Sequence, residues 1–136
     1  MLVQPYLFFE GRCEEALDFY AKAVGATVVS KMRYSESPEP CPQSLPPGSE
    51  NKIMHAEFRI GDTVIMGSDG MCSGRPAFNG FTLALSANNE AEVNRLFAGL
   101  GEGGQVRMPL AKTFYSPAFG MVQDKFGVPW MVLVLA

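Results

Sequence analysis

One structural order is written twice along this chain of 136 residues. An extended apolar run opens the stretch 2–69 (residues 3–9), and another opens the stretch 78–135 (residues 78–87). Each run meets an abrupt polar break and then an amphipathic helix of about three turns. Three strands follow in each copy, the last entered through a glycine turn, Gly61-Asp62 in the first and Phe126-Gly127 in the second. A module of this size cannot bury its own hydrophobic face, so the copies are expected to share a sheet system, with a cleft at their seam. The expected fold is α+β, two tandem βαβββ modules within one domain spanning 1–136. Module 1 covers about residues 1–70 and module 2 about residues 77–136.

Bulk properties exclude several classes of function. Apolar residues make up 47% and charged residues 18%, enough for a real core and too apolar for disorder. The net charge is −3, and Arg and Lys are scattered singly, so nucleic acid and anionic membrane are not expected partners. No apolar stretch approaches the length of a membrane span, and the N-terminus lacks the succession of a signal peptide. Cys13, Cys41 and Cys72 show no close pairing, which reads as reduced thiols in a cytoplasmic protein.

Periodicity places the elements. In residues 12–24, Ala16, Leu17, Phe19, Tyr20, Ala23 and Val24 form one apolar stripe, Glu14 and Glu15 favour the helix start, and Gly25 ends it. In the second helix Asn89 is the N-cap with Glu92 at N3. Val93, Leu96, Phe97 and Leu100 form its stripe, and Gly101 ends it. Residues 53–60 alternate, with Met54, Ala56, Phe58 and Ile60 facing a helix and His55, Glu57 and Arg59 facing the opposite side. Further strands are predicted at 63–68, 104–111, 114–123 and 128–135, where Pro129 is tolerable near a strand start. Residues 35–52 carry five prolines and form either a functional lid or a surface excursion. Residues 69–77 link the modules.

His55 is the only histidine, and it shares a strand face with Glu57 at i, i+2 spacing. The pair suits a general base tuned by a carboxylate, or two ligands of a metal. It equally suits plain structure, with Glu57 and Arg59 paired on the surface and His55 in a cross-strand hydrogen bond. Tyr6, Phe8, Tyr115, Phe119 and Trp130, with Met66, Met121 and Met131, suit either an adaptable apolar pocket or ordinary core. Asp124 is placed to cap a hairpin turn. No nucleophile elbow, phosphate loop or G-x-G-x-x-G turn is present, and nothing resembles the glycine-rich turn of an adenosylmethionine-binding domain.

Three segments carry a family resemblance: residues 6–20 (YLFFEGRCEEALDFY), 52–62 (KIMHAEFRIGD) and 119–130 (FGMVQDKFGVPW). With the repeat, they make the chain resemble the vicinal oxygen chelate superfamily, the glyoxalase and bleomycin-resistance fold. Within it the chain is similar to the PhnB-like branch, often labelled a 3-demethylubiquinone methyltransferase family. The resemblance implies curved mixed sheets around a cleft, ligand on their concave faces and helices outside. It also implies a homodimer, commonly with the cleft built or closed by module exchange. Metal-dependent relatives place His, Gln or Glu at positions that correspond here to Tyr6, Gly67, Thr82 and Met131. Those side chains are poor donors for a dication, so neither metal nor cofactor is expected.

The favoured function is therefore metal-free binding of a small molecule in the inter-module cleft, with Tyr6, Phe8, Thr82, Tyr115 and Met131 as ligand contacts. The alternative is an acid–base or metal-dependent enzyme of the glyoxalase or dioxygenase type. It would use His55 and Glu57 as catalytic residues under a lid formed by residues 35–52.

Overall fold

A computed structural model of the chain describes residues 1–135. It divides into two compact units, Met1–Pro76 and the residues from Ala77 onward. The first unit runs β1 (Tyr6–Phe8), α1 (Cys13–Val24), β2 (Thr27–Arg33), β3 (Ile53–Ile60) and β4 (Thr63–Ser68). The second repeats the order with β5 (Leu83–Ala87), α2 (Glu90–Gly101), β6 (Gln105–Ala111), β7 (Phe119–Gln123) and β8 (Pro129–Val134). Their strand orders are β1-β4-β3-β2 and β5-β8-β7-β6. In each sheet one parallel pair, β1 with β4 or β5 with β8, sits beside two antiparallel pairs. The fold is α+β, with two open mixed sheets of identical topology.

In the first unit α1 buries Cys13, Ala16, Leu17, Tyr20 and Ala23. Tyr20 stacks on Phe58 of β3 at 5.7 Å between ring centroids, and its ring lies 6.2 Å from that of Phe9. Gly25 closes the helix in the left-handed conformation (φ 71°), with its N–H donating to the Tyr20 carbonyl. The start of α1 lacks a side-chain cap of its own. The missing acceptor comes from Asp69, just past β4 and 1% exposed. Its Oδ1 accepts the backbone N–H groups of Gly11 (3.0 Å) and Cys13 (2.7 Å), and its Oδ2 accepts that of Ile53 (2.6 Å). A residue that the sequence places in the linker thus caps the helix from outside and pins the first residue of β3.

The edge strand β2 is exposed along nearly its whole length, so no alternation marks it in the sequence. Register shifts at residues 28–30 and 32–33 keep Lys31 and Arg33 on the helix side of the sheet. There they reach Glu14 of α1 at 3.0 and 2.5 Å. These two cations hold the Glu14 carboxyl down at about 2, the hydrogen bond from Arg33 contributing most.

In the second unit Val93, Leu96 and Leu100 of α2 are buried, as are Val122, Trp130 and Val132 of the sheet. Asn89 caps α2 as expected, its side chain accepting from the Glu92 N–H at 2.8 Å. Gly120 lies on the α2 side of the sheet, close against Phe97. A Cβ there would lie 2.8 Å from the Phe97 ring, so only glycine fits. Asp124 does hold the last hairpin. Its Oδ1 accepts from the N–H groups of Phe126 and Val128, and its Oδ2 from the Trp130 indole at 2.9 Å.

Several expected bounds shift. The opening runs pair only over Tyr6–Phe8 and Leu83–Ala87. Residues 114–118 are not strand, because Thr113 Oγ1 accepts the N–H groups of Tyr115 and Ser116 and so forms a turn in place of a ladder. In β3 the alternation breaks at Met54: Ile53 is fully buried, and Met54 is half-buried. The change follows from Asp69 drawing in the Ile53 amide.

Asp69→Ala removes three hydrogen bonds at once, and the expected loss is about 2–4 kcal/mol in urea unfolding, since buried N–H groups are left without an acceptor. A loss as small as an exposed surface substitution causes would contradict this role. Glu14 gives a pH signature. Its folded-state value lies near 2 against an ordinary 4.5, so its contribution is complete above pH 4.5 and disappears as pH falls toward 2. Glu14→Gln is expected to flatten the stability-versus-pH curve within that window and leave it unchanged in shape above pH 5.

Candidate functional site

Each sheet has one face against its helix and a distal face turned away. In the first unit, register sets the distal face residue by residue: Tyr6 lies beside Met66, Met66 beside Glu57, and Glu57 beside Ser30. One pleat along, His55 sits beside Met32. The alternation of β3 thus puts His55 and Glu57 on one face, as the sequence implies. Strand β1 adds Tyr6 and Phe8 to that face through its parallel pairing with β4.

These side chains meet. The Tyr6 hydroxyl lies 2.9 Å from His55 Nδ1, and His55 Nε2 lies 3.4 Å from Glu57 Oε2. The Tyr6 ring is 5.0 Å from that of Phe8 and 5.5 Å from the imidazole. Tyr6 is 38% and Phe8 50% exposed, large apolar areas for one sheet face. Partial burial nevertheless raises the Tyr6 phenol above its ordinary value, so it keeps its proton at neutral pH. The donor order follows from the groups themselves. Glu57 as a carboxylate has only acceptors, so Nε2–H donates to it, and in the neutral imidazole Nδ1 is then the acceptor for the Tyr6 hydroxyl. The cross-strand hydrogen bond of His55 and its pairing with a carboxylate therefore exist together in one chain.

The remaining residues of the sequence-derived set lie in the second unit. Met131 is on the distal face of the second sheet, in register with Met121, which is in register with Met108, so three thioethers form a row across β8, β7 and β6. Tyr115 lies outside the strands, with its ring 4.9 Å from Phe114 and 5.7 Å from Phe119. Thr82 immediately precedes β5 and is half-buried. Trp130 is core: it is 2% exposed, on the face toward α2, with its indole N–H given to Asp124.

Gly67 does not belong with Tyr6. A Cβ on Gly67 would meet the Phe9 ring at 3.2 Å and the Cys13 Sγ at 3.6 Å, which places it on the helix side. Met66 takes the distal position. The four positions inherited from metal-binding relatives therefore offer a phenol, an inward glycine, a hydroxyl and a thioether. That set does not fit a divalent ion.

The proline-rich segment closes on itself through two short 3-10 turns, Tyr34–Glu36 and Ser49–Asn51. Its anchors are the Tyr34 hydroxyl on the Gly70 carbonyl (2.6 Å), Arg33 on the Asn51 carbonyl (2.7 Å) and Lys52 Nζ on the Gly11 carbonyl (2.9 Å). These contacts lie at the start of α1, beside an open groove of about 520 Å³ that Glu14, Arg33, Lys52 and Asp69 help to line. The Cys13 thiol, buried there and facing the charge of Asp69, is pushed up to about 12 and is not a nucleophile.

The family model for 3-demethylubiquinone-9 3-methyltransferase matches residues 2–133. The chain belongs to this family. A solved relative, protein PA1353 from Pseudomonas aeruginosa, is 37% identical, with a TM-score of 0.85 over 99% of this chain and 98% of that one. A PhnB protein from Bacillus cereus is 29% identical, with a TM-score of 0.81 over 98% of this chain and 99% of that one. A glyoxylase/bleomycin resistance protein/dioxygenase domain from Frankia sp. EAN1pec shares the fold (TM-score 0.64, 13% identity, 98% and 94% covered). The chain is thus similar to a PhnB protein in sequence and shares the fold of a glyoxylase/bleomycin resistance domain, the fold that its three motif segments imply. Among the described residues no helix is long and apolar enough to cross a membrane.

The site residues stand apart from the scaffold energetically. The His55 side chain is 33% exposed and its partners are reachable by water, so His55→Ala is expected to cost under about 1 kcal/mol. A chemical-denaturation loss matching that of Asp69→Ala would make His55 structural.

Proposed function

We propose that the chain is a small-molecule-binding protein whose ligand rests on the distal face of the first sheet, at Tyr6, Phe8, His55 and Glu57, without a metal. One observation carries this reading: the Tyr6–His55–Glu57 hydrogen-bond chain lies beside two large, exposed aromatic rings. An apolar surface with a few convergent polar groups is what a small-molecule site requires. Within the second unit, taken by itself, Thr82, Tyr115 and Met131 are proposed ligand contacts, with the methionine row as an adaptable wall. A homodimer in the cytoplasm belongs to the same proposal, and light scattering that gave a concentration-independent monomer mass would remove the dimer.

The family description names methyl transfer, yet the residues present do not fit an adenosylmethionine cradle. Such cofactors use a glycine-rich turn from strand to helix with the helix N-terminus free. Here the β1–α1 turn is Phe9-Glu10-Gly11-Arg12, and the amides at the start of α1 are already taken by the Asp69 carboxylate. The Asn89 side chain occupies the corresponding place in α2.

A second reading is favoured by the same hydrogen-bond chain. With Glu57 holding Nε2–H, Nδ1 of His55 is a base directed at the Tyr6 hydroxyl, and the trio is able to move a proton to or from a bound molecule. It would then be an acid–base enzyme with Tyr6 or His55 in contact with substrate and Glu57 orienting the imidazole.

A thermal-shift screen against cellular metabolites, on wild type and on His55→Ala, tests the proposal, because a ligand that binds only the folded chain raises its apparent stability. The expected result is stabilisation by a compact chemical group of metabolites, reduced in His55→Ala, with no stoichiometric metal in protein purified without chelator. Stoichiometric metal lost in His55→Ala would overturn the metal-free reading. Stabilisation unaffected by both His55→Ala and Phe8→Ala would remove this face from the site.

A further inference from the structure

We propose that the molecule bound by the Tyr6–Phe8 face is an aromatic or apolar compound that presents a hydrogen-bond donor, a protonated amine being the best match. This inference rests on the reading of that face as the ligand surface and specifies the ligand's chemistry.

The protons along this one chain of groups are few enough to count. Three groups are joined by two contacts, Tyr6 Oη to His55 Nδ1 at 2.9 Å and His55 Nε2 to Glu57 Oε2 at 3.4 Å. The phenol has one proton, the neutral imidazole has one, and the carboxylate has none. Two hydrogen bonds therefore consume both protons. Nε2–H is committed to Glu57, and the Tyr6 proton is committed to Nδ1. What the trio still offers a ligand is the free acceptor capacity of Glu57 and that of Tyr6 Oη, the latter shared with the Ser68 hydroxyl, which also hydrogen-bonds the phenol. Every polar atom that this trio still offers is an acceptor.

The surroundings reinforce the same polarity. The rings of Tyr6 and Phe8, tilted by 31° at 5.0 Å, are both exposed to solvent, and the face of an aromatic ring is electron-rich and attracts cations. From the neighbouring strands, β2 contributes Ser30 and Met32 to this face, and β4 contributes Val64 and Met66. The other charged group on the face is Arg59, one pleat beyond Glu57 on the side away from His55, in register with Thr27 and Val64 and so one row along from Tyr6, Met66 and Glu57. A carboxylate or phosphate brought to Tyr6 would meet no free donor within the trio and would face the charge of Glu57. An ammonium or hydroxyl donor on an aromatic group would satisfy Tyr6 Oη and rest its ring on Phe8.

The test uses the full chain and two matched probes, phenethylamine and 3-phenylpropionate, followed by NMR. Phenethylamine is expected to shift the Tyr6, Phe8 and His55 signals saturably, and 3-phenylpropionate to bind at least about tenfold more weakly, as a charge-assisted hydrogen bond against an unmatched acceptor implies. Tyr6→Phe keeps the ring and the charge of Glu57 but removes the oxygen. It is expected to weaken phenethylamine about fivefold, the size of one hydrogen bond, an effect that general attraction to an acidic protein would not produce. The His55 ring ¹⁵N shifts at pH 8 give a readout that needs no ligand: Nε2 should be protonated and Nδ1 bare.

A protonated Nδ1, or equal affinity for the two probes at this face, would overturn the inference while leaving the face as a binding surface. If neither probe moves these signals the inference also falls. The binding reading falls with it only if metabolites that stabilise the protein leave the same signals unmoved.

Discussion

A single buried carboxylate organises the first unit. Asp69 stands where β4 ends and its parallel neighbour β1 leaves the sheet, and it holds the amides of Gly11, Cys13 and Ile53. A charge in the core persists only when it is this well hydrogen-bonded, and the arrangement would be costly to leave half made. By taking Ile53, Asp69 pins the first residue of β3 on the helix side, while buried Ala56, Phe58 and Ile60 set the pleat that turns His55 and Glu57 the other way. By taking Gly11 and Cys13, it fixes the turn that follows β1, the strand bearing Tyr6. The 2.9 Å contact between Tyr6 and His55 thus joins two strands whose ends converge on one side chain. The second unit reaches the same topology by other means, with Asn89 capping its helix and Asp124 holding its last hairpin.

The elements with a strong period were legible in the sequence. Both helices, the Asn89 cap, the Gly25 stop and the hairpin role of Asp124 rest on local chemistry, which acts within a few residues and is visible in them. Strand β2 was legible only as a member of the repeat and its bounds were not, because it is exposed along nearly its whole length and carries no alternation to find. Asp69 was not legible either. Its partners lie 16, 56 and 58 residues away, so no spacing announces it. The one signal in the chain was an acidic residue directly after an apolar strand, ahead of a glycine, which equally describes a turn.

The site was legible in part, and for the same reason. That His55 and Glu57 share a face follows from a period of two within one strand. That Tyr6 reaches His55 depends on the parallel pairing of β1 with β4, a non-local fact that only the family resemblance hinted at. Transfer of positions by analogy misplaced Gly67 by one residue, and a one-residue slip in a strand reverses the face. The corrected neighbour, Met66, makes the face softer and more apolar and leaves Tyr6, His55 and Glu57 as its polar centre. The same slip removes any argument for a metal from those four positions, because a glycine buried against Phe9 and Cys13 has nothing to donate.

The most direct measurement is a crystal structure of the protein with the metabolite that stabilises it most. The expected result is the molecule on the distal face of the first sheet, its apolar part against Tyr6 and Phe8 and its polar group on Tyr6 or Glu57, with no metal between them. A molecule seated instead in the groove beside the start of α1, among Arg33, Lys52 and Glu14, with the Tyr6–His55 face bare, would contradict it.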